Sequence, residues 1–274
     1  MYEPYWQLDE KPFETGCDPK YFYPGESHQA ALLKLRYAVE SHRGGAMLAG
    51  ASGLGKSLLV LLLRSMLPEE TFRVAHVVFP QMRAAELLAY LADELSGQTE
   101  AVPGTPGVND SVRRIQTLLT RSAEEGRHTL VVIDEAQLIA EAESLDALRL
   151  LMNFEVAGRP ASTLLLVGQP GVLTTLDQTP HLEERIDVKC LLRPFSPTET
   201  ASYVGHRLRI AGASRDFFTE DALEAVHNLS QGVPRRINRL CDLALLIGFA
   251  EEFDSIAAAH VESIERELVT VVPE

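Results

Sequence analysis

Two short stretches of the sequence carry residues whose types and spacing suit chemistry on a phosphate. The first is GASGLGKS, Gly50 to Ser57, which fits G-x-x-x-x-G-K-[ST] in full. Glycines at 50, 53 and 55 let the backbone turn so that several N–H groups face one point, and the dipole of a following helix adds to their pull on an anion. Gly50, Ala51, Ser52, Gly53, Leu54, Gly55, Lys56 and Ser57 are therefore candidates to hold a nucleotide. Lys56 is suited to the β- and γ-phosphates and is expected to point into an open, solvated site, while the hydroxyl of Ser57 is suited to Mg²⁺. The second stretch is LVVIDEAQLI, residues 130 to 139, which runs four strand-forming residues into two acids. Asp134 at the strand end can orient a metal shell, and Glu135 can polarise an attacking water. The alternative is a glycine turn that only joins strand to helix, with two acids capping the next helix.

These residues need a scaffold that brings strand ends together, and the sequence provides one. GAMLAG (45–50), FRVAHVVF (72–79), TLVVID (129–134), TLLLVG (163–168) and IDVKCLL (186–192) read as strands. Helical patterns separate them, at KSLLVLLLRSML, RAAELLAYLADELS, about 110–125 and about 144–156. Strands without alternating polarity are covered on both faces, which implies a mostly parallel five-stranded sheet in an α/β fold. The segment 97–110, rich in Gly, Pro and Thr, reads as a loop. At RPFSPTET the rhythm changes: Ser196, Pro197 and Glu199 form a capping box with proline at the first helical position. Only helices are expected beyond it, over 197–211, 220–229, 234–249 and 256–268, giving an α/β core over 43–194 and a small helical domain over 195–274.

Composition excludes several classes. The longest apolar runs fall short of the ~20 residues that span a bilayer, and the start MYEPYWQLDEKPF is acidic where a signal peptide would be basic. Cys17, Cys190 and Cys241 are too few and too dispersed for a disulfide framework or a paired zinc site, which fits a reduced, cytoplasmic chain. A net charge of −14 works against general binding to DNA or an anionic membrane.

With the phosphate loop, the DEAQ acids and the helical tail together, the chain resembles the AAA+ P-loop ATPases, which implies ATP and Mg²⁺ as cofactors. YWQLDEKPF (5–13), DPKYFYPGESHQAALLKLRYAV (18–39), LRLLMNFE (148–155), LVGQP (166–170) and GVPRRINRLCDLAL (232–245) extend the resemblance to the ExeA/GspA secretion ATPases over nearly the whole length. The resemblance implies that residues 1–42 are a family-specific lead-in covering the nucleotide site, with Phe22, Tyr23 and His28 as adenine contacts or, alternatively, as core. It implies that Gln169 senses the γ-phosphate, that Arg235 (or Arg236) reaches back to the phosphates from the helical domain, and that Arg185 is offered to a neighbouring subunit's ATP. Arg185 has an alternative as a surface residue pairing charges within LEER. Asn153 and Glu155, in MNFE, have no assigned chemistry beyond contact with a next subunit.

What the resemblance implies for function is an ATP-hydrolysing homo-oligomer, ring or filament, driving envelope export or assembly through a protein client. Secretion members are expected to continue into a membrane span and a cell-wall-binding region beyond the part resembling this chain, while soluble relatives serve polysaccharide export and pilus assembly. A DNA-bound regulator of the transposition type is the alternative. The charge of 196–274 disfavours it, with seven arginines, no lysine and thirteen acids, a net of −6.

Overall fold

The computed structural model describes residues 1–97, 107–139 and 141–270, with side chains through Ile264. The chain forms two compact units. One comprises Ser27–Ala51 and Leu59–Leu192; the other comprises Met1–Glu26, Ser52–Leu58 and Arg193–Glu274.

The first unit is built on a five-stranded sheet. Its strands are β1 (Gly45–Ala49), β2 (Phe72–Val77), β3 (His128–Ile133), β6 (Ser162–Gly168) and β7 (Val188–Leu191). Their order across the sheet is β2-β3-β6-β1-β7, and every pairing is parallel. All residues of β1, β3 and β6 are buried, which is why their sequences show no polar alternation. Helices α2 (Glu26–Glu40), α3 (Lys56–Met66), α4 (Ala84–Ser96), α5 (Val108–Glu124) and α6 (Ala142–Leu151) punctuate the strands. Leu87 and Leu91 of α4 join Ile115 and Leu119 of α5, Leu148 of α6 and the strand residues Met47, Val131, Ile133 and Leu166 in one apolar core.

Three local features depart from the sequence reading. The helix expected over 144–156 stops at Leu151. Beyond it, β4 (Glu155–Val156) and β5 (Arg159–Pro160) make an antiparallel hairpin. Its turn residues Ala157 (φ 52°) and Gly158 (φ 75°) take the left-handed pair of conformations that a two-residue hairpin needs. Two short helices between β6 and β7, α7 (Gly171–Asp177) and α8 (Pro180–Glu183), were not expected. The loop expected at 97–110 falls mainly outside the described residues, and helix begins at Val108.

The second unit contains α9 (Pro197–Ile210), α10 (Glu220–Ser230), α11 (Pro234–Ala250) and α12 (Ala258–Thr270). The capping box opens α9 as expected: the Glu199 N–H donates to Ser196 Oγ at 3.2 Å, and the Ser196 N–H donates to Glu199 Oε2 at 2.9 Å. The N-terminal residues share this core. Trp6, at the end of α1 (Glu3–Trp6), is 1% exposed, packs at a tilt against Phe217 with ring centres 5.0 Å apart, and donates its indole N–H to the Leu245 carbonyl at 2.9 Å. Arg207 is 5% exposed; its Nε donates to the Pro12 carbonyl, its Nη2 to the Glu14 carbonyl at 3.2 Å, and its guanidinium lies 4.3 Å from the Tyr21 ring centre. A buried charge is tolerated here because carbonyls and an aromatic face replace water around it.

Trp6→Ala should cost about 3–5 kcal/mol of stability in urea unfolding followed by circular dichroism, since it removes a fully packed aromatic side chain and its hydrogen bond. A loss below about 1 kcal/mol would show that the N-terminal segment only lies against the helices.

Candidate functional site

The parallel register brings the chemistry-bearing segments to one edge of the sheet. Ala49 pairs with Gly168, and Ile133 with Leu166, so β1, β3 and β6 end nearly in step. The Gly50 N–H donates to the Gly168 carbonyl at 3.1 Å, continuing the ladder one step past β1. Gly50, Asp134 and Gln169 thus leave the sheet from its carboxyl edge, the place where open α/β sheets take their ligands.

The loop 50–57 has the conformation its glycines imply. Gly53 (φ 82°) and Gly55 (φ 89°) are left-handed, a state that costs an L-residue roughly 1–2 kcal/mol. Gly53 also meets a spatial limit: a Cβ there would lie 2.9 Å from Arg235 Cβ and 3.1 Å from Val233 Cγ1. The Arg235 N–H donates to the Gly53 carbonyl at 3.2 Å, and its Nη1 donates to Ser52 Oγ at 3.3 Å. Of the two candidate arginines it is Arg235 that meets the loop; the Arg236 N–H turns to the Val233 carbonyl. Lys56 was expected in open solvent, but it is only 7% exposed. It stands at the first position of α3, while Ser57 beside it is exposed.

Asp134 is 7% exposed and held by backbone on both sides: its N–H donates to the Val77 carbonyl, and its Oδ1 accepts from the Glu135 N–H, both at 2.8 Å. Its Oδ2 lies 3.9 Å from His76 Nε2 on the neighbouring strand. Asp134 and Ser57 each carry an oxygen of the kind Mg²⁺ takes. Glu135 follows in a left-handed conformation (φ 48°, ψ 38°) that turns the chain into a short 3-10 segment, Ala136–Leu138. That conformation in a non-glycine residue at a strand end carries strain of the kind found at functional sites. Its side chain accepts a hydrogen bond from Gln137 Nε2. Gln137 Oε1 in turn accepts the Gln169 N–H at 2.9 Å. The sequence reading quoted Gln137 within DEAQ without assigning it a role; spacing gives no sign that its side chain bridges two loops.

The remaining candidates are spread out. Arg185 follows α8 and is exposed; its carbonyl sits 2.8 Å from where a Cβ on Gly45 would be, and the Asp187 N–H donates to the Gly45 carbonyl at 3.0 Å. Arg185 is therefore at the amino end of β1, five residues and about 16 Å of strand away from Gly50. The charge pairing expected as its alternative involves other residues, since Glu183 pairs with Lys189 at 2.6 Å. Tyr23 packs edge-on against Phe195, Tyr203 and His206 at 5.5–5.9 Å, in the aromatic core of the helical unit. His28 is 4% exposed on α2, with Nδ1 3.4 Å from Ser27 Oγ, and Phe22 is half-buried. Asn153 and Glu155 are exposed around the hairpin.

Comparison with known proteins agrees with this architecture. Residues 39–176 match the AAA domain model. The chain belongs to the AAA family of P-loop ATPases, as an ExeA/GspA-like member. It is 35% identical over 252 residues to general secretion pathway protein A of Aeromonas hydrophila, a match that covers 91% of this chain and 45% of that protein. The chain thus spans about half the length of that relative. Among solved structures, the Aeropyrum pernix ORC2 protein in its ADPNP–ADP complexes superposes with a TM-score of 0.68 at 18% identity, covering 93% of this chain and 71% of that one. Cdc6p of Pyrobaculum aerophilum superposes at 0.69 and 15% identity, covering 91% and 68%. At these identities the two structures bear on the fold alone.

Gly53→Ala should destabilise the protein by about 1–2 kcal/mol through its left-handed backbone and should also separate the loop from Arg235, weakening binding of a fluorescent ATP analogue. A variant with wild-type stability and affinity would show that neither the conformation nor the contact matters.

Proposed function

We propose that the protein is a Mg²⁺-dependent ATPase of the cytoplasm that works as a ring or filament and drives export or assembly at the cell envelope by acting on a protein client. The observation that carries the ATPase reading is the shared carboxyl edge, where the strand feeding Gly50–Ser57 and the strand feeding Asp134 and Glu135 end almost in step. The envelope role rests on the sequence similarity to the Aeromonas secretion protein.

In this reading the backbone N–H groups of residues 50–57 and the ammonium of Lys56 hold the phosphates, with Tyr23 and His28 as candidates at the adenine. Ser57 and Asp134 hold Mg²⁺, which when bound neutralises charge on the phosphate oxygens. Glu135 takes the proton of the attacking water, Gln169 orients that water against the γ-phosphate, and Arg235 reports nucleotide state to the helical unit. Arg185 stands too far along β1 from Gly50 to serve its own chain's phosphates. Its role is in a neighbouring subunit's site. DNA as the partner is opposed by the acidic helical unit.

Two variants test the chemistry. Lys56→Ala should lose ATP binding while keeping its fold, and Glu135→Gln should bind ATP but turn it over roughly 10²-fold more slowly or worse. Unchanged ATP affinity in the first, or near-normal hydrolysis in the second, would overturn those assignments.

Assembly is tested by mixing. Arg185→Ala should keep ATP binding and lose about 10³-fold in turnover. Glu135→Gln subunits, which carry a sound arginine, should restore activity to Arg185→Ala subunits, which carry a sound acid. Wild-type activity per subunit should rise with concentration, and light scattering with ATP should show the growing particle, with duplex DNA adding nothing. A dead mixture together with concentration-independent activity would make Arg185 an ordinary surface residue.

A further inference from the structure

We propose that Gln137 is a positioning residue that couples Gln169 to Glu135, so that the group reading the γ-phosphate and the group activating water move together. The proposal rests on Glu135 acting as the base.

The geometry defines the link. Glu135 can only accept hydrogen bonds when ionised, and the Gln169 N–H can only donate. The Gln137 amide lies between them with Nε2 toward the carboxylate and Oε1 toward the N–H. Only this orientation of the amide satisfies both partners, so the side chain is fixed at both ends. Glu135 is held from the side-chain end in a backbone conformation that glutamate seldom adopts. Gln169 is held through its main chain, which leaves its own side chain available for a ligand.

The surroundings leave room for Gln137 and little else. A Cβ on Gly168 would lie 2.5 Å from Gln137 Oε1 and 3.4 Å from the backbone nitrogens of Ala136 and Gln137. Gly168 is not in the left-handed region, so its backbone would accept alanine. Glycine is required here by the bridging amide and not by conformation. On the other side, a Cβ on Gly171 would be 3.6 Å from Gln137 Cβ, an ordinary contact. One neighbouring glycine thus protects the bridge and another is indifferent to it. A carboxylate anchored in this way is presented to the water in one pose; without the anchor it samples others, and misplacement of a reacting group by about 1 Å can cost on the order of 10²-fold in rate.

The test uses the full chain. Gln137→Met keeps the bulk and loses both hydrogen bonds. Gly168→Ala leaves Gln137 in the sequence but pushes its amide aside. Both should lower kcat by roughly 10- to 100-fold with KM for ATP unchanged. Combined, they should do no more than either alone, because both break the same link. Neither should slow Glu135→Gln further. Gly171→Ala should behave as wild type, and melting temperatures should show that all variants are folded. Gln137→Met and Gly168→Ala at wild-type or higher kcat, beside an inactive Glu135→Gln, would overturn the coupling while leaving Glu135 as base. A fully active Glu135→Gln would instead overturn the functional reading beneath it. If the fall appeared wholly in KM, Gln137 would belong to nucleotide binding and the proposal would fail.

Discussion

All five strands of the sheet run in one direction, and most of what the site is made of follows from that. Parallel strands place every strand-to-helix connection on the same edge, and the pairing of Ala49 with Gly168 and of Ile133 with Leu166 keeps three of those edges level. A phosphate loop and a pair of acids separated by about 80 positions in the chain are brought to the same edge without any contact designed for the purpose. The cost is that β1, β3 and β6 must be apolar on both faces, so their sequences carry no record of which side faces which helix. The chemistry resides in the residues immediately after each strand.

Rigid strands do not by themselves make a responsive site, and the loop around Gly53 shows where response can enter. Its carbonyl is taken by the Arg235 N–H, and the adjacent Ser52 hydroxyl by the Arg235 guanidinium. Arg235 stands in the first turn of α11, and α11 carries Leu245, whose carbonyl is bound by Trp6. Residues 1–26 and α9–α12 thus share one core although more than 160 residues separate them in sequence. A change in the loop that displaces Arg235 therefore bears on the first turn of a helix packed into that aromatic core.

Much of this was legible in the sequence, for identifiable reasons. The phosphate loop has a fixed spacing because backbone geometry dictates it, and the five strands announce themselves by length and by β-branched or leucine-rich composition. The hairpin at 155–160 was missed because two-residue strands have no period to detect; only Gly158 hinted at it. The burial of Lys56 was misjudged because a lysine's charge says nothing of where its four-carbon stem lies. Gln137 went unassigned because its partners are a side chain two residues away and a main-chain N–H thirty-two residues away, and neither relation has a sequence signature. Motifs record what the backbone must do; bridges between loops appear only in three dimensions.

The position of Arg185 constrains any assembly that uses it. β1 acts as a rod with the phosphate loop at one end and the Asp187–Gly45 hydrogen bond, two residues from Arg185, at the other. If Arg185 serves a neighbour's ATP, the surface offering it and the surface receiving it are different patches on opposite edges of the same sheet. A two-fold dimer pairs the two patches only if the chains lie antiparallel, so that each copy's Arg185 end meets the other's phosphate loop. A head-to-tail contact is the other arrangement that joins them, and it repeats until it closes into a ring or continues as a filament. If Arg185 serves a neighbour in this way, its separation from Gly50 restricts the assembly to these two arrangements, and in the second the subunit number is left to the rotation between one head and the next tail.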